Sequence, residues 1–343
     1  MGGEQSFFSS PIQFFSSATT HNKQSYSCIG RLEAKYEDLS YDNLKDDIEK
    51  SIITIKKEKK NKGFTYENYI NEFQTLEKFI DYDTAHLNAL DMGIMELCRY
   101  SDIKTYKHNK IEINTITKYI NASPINIISP NFFIATQGPT PKTIEDFWTM
   151  VDQYNCNIII MLCKLVESGS RKCEDYWNTN NKMEKYTLEI ISEEDKVFEG
   201  TVITERKIKL INNKTKNEKT VTQLHYNGWP DAGVPTGQKT FKAFIYMIEQ
   251  IDKLKGEGPG VMHCSAGVGR TGTFISIYFL YKEILEQIND KYLKNIEFSV
   301  FNIVRKLKEM RLYMVQNSGQ YKFIYEFIEC LLKEYNIEKA ENN

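Results

Sequence analysis

The stretch that most constrains this chain is Gly258–Phe274, GPGVMHCSAGVGRTGTF. Val261 and Met262 close an apolar run. Gly267, Gly269 and Gly272 follow, and the segment from Thr271 to Ile288 is at first apolar on nearly every face. This pattern predicts a strand, a tight loop and a buried helix. A loop of that kind aims backbone N–H groups inward at a helix N-terminus, which favours a bound anion. Cys264, directly after His263, stands at the mouth of that anion site. The N–H dipoles and Arg270 are expected to stabilise its thiolate and so depress its pKa. Arg270 can grip a phosphate with two parallel N–H bonds. A thiolate beneath a cradled phosphorus is a nucleophile for phosphoryl transfer.

Two other readings compete. Gly267, Gly269 and Gly272 match G-x-G-x-x-G, the dinucleotide fingerprint. That reading leaves Cys264 and Arg270 unexplained, and no clear strand ending in an acidic residue follows at the expected distance. A buried inert thiol is the usual role of any single cysteine. Yet His, Cys, two Gly, Arg and Thr at these spacings would coincide on the order of once in 10⁸ start positions. The loop resembles the signature of the protein tyrosine phosphatases.

The chain has 343 residues and a formal net charge of −2, so it is long enough for one large domain or two small ones, and its charge disfavours a generic nucleic-acid binder. It has seven cysteines, an odd number, without C-x-x-C or a secretory apolar region, which fits a reduced, intracellular setting. The five scattered histidines show no zinc-ligand spacing. The longest apolar runs, around Ile158–Cys163 and Phe274–Tyr281, are too short to span a bilayer.

Residues 1–29 are rich in Ser, Phe, Thr and Asn without a sustained period and are expected to be mostly disordered. MGGEQS fits the N-myristoylation pattern, with Gly2 as acceptor and Ser6 in place, and a single acyl chain would give only weak membrane association. Leu32, Tyr36, Leu39, Leu44 and Ile48 predict amphipathic helix in 31–50, and Lys56, Lys57, Lys59, Lys60 and Lys62 mark a linker that ends at Gly63. Tyr69, Phe73, Leu76 and Ile80 predict a helix over 66–80. Thr140 followed by Pro141 predicts a helix start, with Ile144, Phe147, Trp148 and Val151 on its buried face. Asn157–Cys163 suits a buried central strand. Tyr186–Ile191, Val202–Leu210 and Val221–Tyr226 alternate as antiparallel strands, with a polar turn over 212–219. Further amphipathic helices follow Thr236 and cover Val300–Met310 and Ile324–Leu331.

Other segments extend the resemblance: LCRYSDIKTY at 97–106, KYINAS at 118–123, FIATQGPT at 133–140, ESGSRKCEDYW at 167–177, HYNGWPDAGVP at 225–235 and MRLYMVQNSGQYKFIY at 310–325. Over roughly Phe64 to Tyr335 the chain resembles cysteine-dependent protein tyrosine phosphatases of the non-receptor type. The resemblance implies an α/β fold: one phosphatase domain with a twisted mixed sheet and helices on both faces. The implied division is an extension at 1–63, a catalytic domain at 64–335 and a tail at 336–343. It implies that Cys264 is the nucleophile, Arg270 and the loop Ser265, Ala266, Gly267, Val268 and Gly269 bind phosphate, and Asp231 is the general acid and base. Trp229 and Pro230 would hinge and cover the site. Gln320, helped by Gln316, would orient the hydrolytic water. Thr271 would donate to the Cys264 sulfur, with His263 behind the loop. Tyr100 would stack on the substrate ring and Asp102 accept from substrate backbone. Glu167 would pair with Arg270, and Lys172 would lie near the acid loop. No metal or cofactor is implied, and the partners are phosphotyrosine proteins rather than nucleic acid. The sequence departs from the family at Leu97 and Cys98, where Lys-Asn is usual, at Ala232, where an aromatic residue or His is common, and at Tyr313, where some relatives open a second phosphotyrosine pocket. A weakly active phosphotyrosine-binding domain and a dual-specificity phosphatase remain as alternatives.

Overall fold

The computed structural model describes residues 27–30, 66–77, 92–127, 132–230, 233–289 and 295–335. Gly2, the 31–50 segment, the Lys-rich stretch, Asp231, Ala232 and the tail after Tyr335 lie outside the described residues.

The core is a seven-stranded sheet. Its centre is formed by β3 (Phe133–Thr136), β10 (Gly260–His263), β4 (Ile158–Met161) and β9 (Glu218–Tyr226), all parallel to their neighbours. The sheet is completed antiparallel by β2 (Ala122–Ile125) beside β3, and by β8 (Thr201–Asn212) and then β7 (Tyr186–Phe198) beyond β9. β3, β4 and β10 are buried at every position. That is why the sequence of β4 reads Ile-Ile-Ile-Met without alternation: a strand covered on both faces has no polar side. Phe147 and Trp148 of α3 (Ile144–Gln153) pack on Tyr176, and Phe147 also meets His263. Phe244 of α4 (Gly237–Leu254) meets Phe274 of α5 (Gly269–Asn289) at 4.9 Å. α6 (Val300–Met310) and α7 (Ser318–Glu334) pack against α5. α1 (Tyr66–Glu77) packs on both, and the short α2 (Met92–Met95) leads into the 97–106 segment. The mixed α/β architecture is thus the one the sequence implied.

Two local expectations need correction. The Thr140–Pro141 pair does not begin the helix. Residues 141–143 form turns, α3 starts at Ile144, and Thr143 Oγ1 accepts from the Thr140 N–H at 2.9 Å. The strand expected to stop at Ile191 runs on to Phe198 past a register shift at Ile190/Ser192. Its outer half, Ser-Glu-Glu-Asp-Lys, is an exposed sheet edge and so carries no apolar alternation to reveal it. At the end of the N-terminal stretch, β1 (Ser27–Gly30) pairs in parallel with β11 (Asn295–Phe298); residues 1–26 lie outside the described residues.

Candidate active site

β10 ends at His263 and α5 begins at Gly269, so residues 264–268 cross from the sheet's centre to the N-terminus of a buried helix. Gly267 has φ +71, and a Cβ there would lie 2.0 Å from Thr136 O. No residue but glycine fits this crossing. Every carbonyl of the loop is engaged on its outer side. Cys264 O faces His263 Nδ1 at 3.1 Å, and Ser265 O accepts from Gly138 N. Arg311 Nη2 donates to Ala266 O at 3.1 Å and its Nε to Gly267 O at 2.9 Å. Val268 O accepts from Gly272 N and Val315 N. By contrast, no N–H from Ser265 to Gly269 donates to a protein acceptor among the described residues. A loop with its carbonyls turned out and its N–H groups free is a nest for an oxyanion at the positive end of a helix dipole.

Cys264 stands at the root of this nest and is only 5 % exposed. Arg270 is held as a fork: its Nη1 and Nη2 donate to Glu167 Oε1 and Oε2 at 2.5 and 2.6 Å, and Nη1 also reaches Leu162 O. The carboxylate is presented by the hairpin of β5 (Val166–Glu167) and β6 (Ser170–Arg171), whose turn residues Ser168 and Gly169 both have positive φ. Glu167 is itself buried and fixed by the N–H of Lys164. Burial opposes charge on Arg270, but the Glu167 hydrogen bonds and nearby Cys264 outweigh it, and its pKa is raised. Thr271 Oγ1 is buried with no hydrogen-bond partner among the described residues, a free donor beside the loop.

The other site residues assemble from distant segments. A Cβ on Gly269 would lie 2.9 Å from Gln320 Nε2 and 3.1 Å from Gln316 Oε1, so both amides line the loop's exit. Trp229 is buried, its ring lies 5.7 Å from the Arg270 guanidinium, and its Nε1 donates to Gly233 O. Tyr100 is half-buried with its hydroxyl 2.8 Å from Ser265 Oγ, which itself donates to Lys172 O at 2.8 Å. Asp102 is exposed in the same turn as Tyr100. Lys172 enters the site through its carbonyl; its relation to Asp231 lies outside the described residues. His263 is fully buried with its pKa pushed down to about 3 by desolvation, so it is neutral.

Two arginines that sequence reading did not single out organise the site. Arg311 is fully buried beneath the loop, adds Asn121 Oδ1 and Ser123 Oγ to its carbonyl partners, and is lowered by burial to about 10. Arg99 binds Gly138 O and Pro139 O through its side chain and Gln137 Oε1 through its N–H, and so anchors the Tyr100 segment. Cys98, the departure from the family, fills its place by accepting from Asn121 Nδ2 at 3.4 Å. Both arginines sit inside quoted motifs. A single arginine, however, reads as surface charge until its partners, 40 or more residues away at Pro139 and Gly267, are brought next to it.

The family model of the protein-tyrosine phosphatases matches residues 94–330. The chain belongs to the protein-tyrosine phosphatase family. Rat tyrosine-protein phosphatase non-receptor type 20 is 35% identical over 264 residues, covering 76% of this chain and 59% of that protein. Rat receptor-type tyrosine-protein phosphatase zeta is 34% identical over 299 residues, 79% of this chain and 12% of that protein. The chain therefore spans little more than half the length of the first relative and a small part of the second. The catalytic domain of human protein tyrosine phosphatase non-receptor type 18 superposes with a TM-score of 0.67 at 27% identity, covering 77% of this chain and 95% of that one. The same phosphatase is known in complex with HER2 phosphopeptides. Among the described residues of this phosphatase domain, no helix is long and apolar enough to cross a membrane.

Proposed function

We propose that this chain hydrolyses phosphotyrosine in proteins through a cysteinyl-phosphate intermediate. The observation that carries the reading is the loop: five outward-tied carbonyls leave inward N–H groups around Cys264, with the Arg270 fork held by Glu167. In the first step the Cys264 sulfur attacks phosphorus and the P–O bond to tyrosine breaks. Asp231 gives its proton to the departing phenolate oxygen. The loop N–H groups and Arg270 stabilise the charge on the equatorial oxygens. In the second step Asp231 takes a proton from a water oriented by Gln320 and Gln316. That water's oxygen bonds to phosphorus, the S–P bond breaks, and inorganic phosphate leaves. Thr271, whose buried hydroxyl is unpaired, donates to the departing sulfur. Closure of the turn at Trp229 shields both steps from bulk water.

Tyr100 supports phosphotyrosine over phosphoserine, because its half-buried ring, fixed through Ser265, deepens the approach to the loop. Non-receptor type 18 binds phosphopeptides on the same fold, and this supports phosphoproteins as partners here. We assign the catalytic unit to residues 64–335, flanked by an extension at 1–63. Substrate trapping tests the reading. Cys264→Ser should abolish turnover of an aryl phosphate and of phosphotyrosine peptides, and Asp231→Ala should slow it about 10²- to 10⁴-fold while both variants retain bound phosphotyrosine peptide. Unchanged turnover in either variant, or equal rates on phosphoserine peptides in the parent protein, would overturn it.

A further inference from the structure

Behind the nucleophile, one guanidinium is linked to both buried histidines of the described residues, to one directly and to the other through two side chains. Arg206 of β8 is 8 % exposed and lies over the Trp177 ring at 4.5 Å. Its Nε donates to Glu193 Oε2 at 2.7 Å, and its Nη1 faces Gln223 Oε1 at 2.9 Å and His225 Nδ1 at 3.5 Å. Gln223 Nε2 donates to the Tyr176 hydroxyl at 2.7 Å, and that hydroxyl lies 2.8 Å from His263 Nε2. His263 Nδ1 is 3.1 Å from the carbonyl of Cys264, and His225 Nε2 is 2.8 Å from the carbonyl of Cys163.

An arginine can only donate and a carbonyl can only accept, and these two ends together set the direction of the bonds between them. Gln223 must turn its oxygen toward Arg206 and therefore its amide nitrogen toward Tyr176. The tyrosine oxygen accepts there, and with the neutral His263 ring facing the Cys264 carbonyl through Nδ1, the tyrosine's one proton goes to His263 Nε2. His263 must then carry its proton on Nδ1, where it donates to Cys264 O. In the other branch, His225 accepts from Arg206 at Nδ1 and so carries its proton on Nε2, where it donates to Cys163 O. Burial keeps both rings neutral, lowering His225 to about 4 and His263 to about 3. The two histidines end neighbouring structural routes: His263 precedes the nucleophile, and His225 lies on β9 four residues before Trp229.

We propose that Arg206 is a positioning residue for the nucleophile: through Gln223 and Tyr176 it holds His263 in the Nδ1–H tautomer that binds the Cys264 carbonyl, and directly it holds His225 in the opposite tautomer. The role rests on the reading of Cys264 as nucleophile. Hydrogen bonds in series polarise one another, so a fixed cation at the head strengthens the last bond, the one to Cys264. The carbonyl so held is the first of the five that must face outward for the loop N–H groups to face in.

The test uses the full chain with histidine rings labelled with nitrogen-15, and His21, His86 and His108 replaced so that only His225 and His263 report. Ring nitrogen–proton correlations should show Nδ1–H for His263 and Nε2–H for His225. Arg206→Lys keeps a donor-only cation and should preserve both forms. Gln223→Glu offers Tyr176 an acceptor instead of a donor. Tyr176 then donates to the new carboxylate, and His263 should switch to Nε2–H. On an aryl phosphate kcat should fall about tenfold with KM little changed, because the phosphate-binding groups are untouched. Arg206→Met should leave His263 in mixed forms. If His263 keeps Nδ1–H in Gln223→Glu, the proposal is overturned, whether or not kcat falls; a fall would then be merely structural. If Arg206→Met does not fold, Gln223→Glu and Arg206→Lys decide the matter. Failure of the parent protein to turn over aryl phosphate would sink the functional reading and leave the ring spectra to judge the relay alone.

Discussion

At the scale of single residues, the site depends on charges that are held rather than merely present. Arg270 would be a poor phosphate clamp if its fork could swing, and Glu167 prevents that with two bonds at 2.5 and 2.6 Å from a buried position. Hydrogen bonds to charged groups contribute about 1.5–3 kcal/mol each. Glu167→Gln keeps the shape and loses the charge and one acceptor. It should lower kcat/KM on phosphotyrosine peptide about 10- to 100-fold, measured alongside a denaturation curve that shows the fold retained. The two buried histidines give a second prediction. In the unfolded chain they titrate near 6.5, but in the fold desolvation holds them near 4 and 3. Below about pH 6.5 the unfolded state therefore binds more protons, and stability falls as pH drops toward the folded values. Each histidine contributes up to about 1.4 kcal/mol per pH unit in that window. Tm should decline between pH 7 and pH 5, and less steeply in His225→Gln; an equal slope in that variant counts against this cause. Cys264, Arg270 and Glu167 were legible in sequence because motif spacing carries them. Arg206 and Gln223 were not, since they meet only through cross-strand pairing of β8 with β9.

At the scale of elements, the 264–268 loop is shaped from outside. Its glycines permit the path, and Arg311, delivered from just past the C-terminus of α6, enforces it by taking two of its carbonyls. Arg311→Met would leave Ala266 O and Gly267 O without their donor in a buried site. Stranded buried acceptors cost about 1–3 kcal/mol each. The denaturant midpoint should therefore drop by an amount equivalent to about 2–5 kcal/mol at unchanged m-value, and kcat should fall with it. A midpoint within error of the parent would show that the loop holds its own shape. Sequence pattern served the elements unevenly for the same reason. Buried strands such as β4 announce themselves by continuous apolar residues. The 192–196 stretch of β7 is held by backbone pairing with β8 and is polar throughout, so nothing in its side chains marks it as a strand. The Thr-Pro start of α3 had the right chemistry, but Thr143 and not Thr140 occupies the cap position, because the intervening residues form turns first.

At the scale of the whole molecule, the question is where the catalytic unit begins. The family match starts at residue 94, and α1, ahead of it, packs against α6 and α7. Glu72 is fully buried and accepts from both Tyr321 and Tyr325 of α7 at 2.6 Å. Glu77 pairs with the buried Lys308 of α6 at 2.8 Å, and Tyr69 stacks obliquely on Tyr325 at 4.9 Å. α7 in turn carries Gln320 against Gly269 at the end of the 264–268 loop. Removing α1 would leave two tyrosine hydroxyls and an ammonium group without these partners behind a helix that lines the site. Among the described residues before Phe64, only β1 is present, and it pairs with β11. Two truncations should therefore differ sharply. Starting the chain at Phe64 should keep kcat/KM on an aryl phosphate within about twofold, with a modest loss of Tm from the missing β1 pairing. Starting it at Met92 should lower Tm well below that of the Phe64 chain, because the Glu72 and Glu77 contacts and the burial of Phe73 and Leu76 are lost together. Equal stability of the two truncations would place the boundary at the family match and deny α1 a part in the catalytic unit. Loss of turnover on cutting at Phe64 would instead assign residues 1–63 to it.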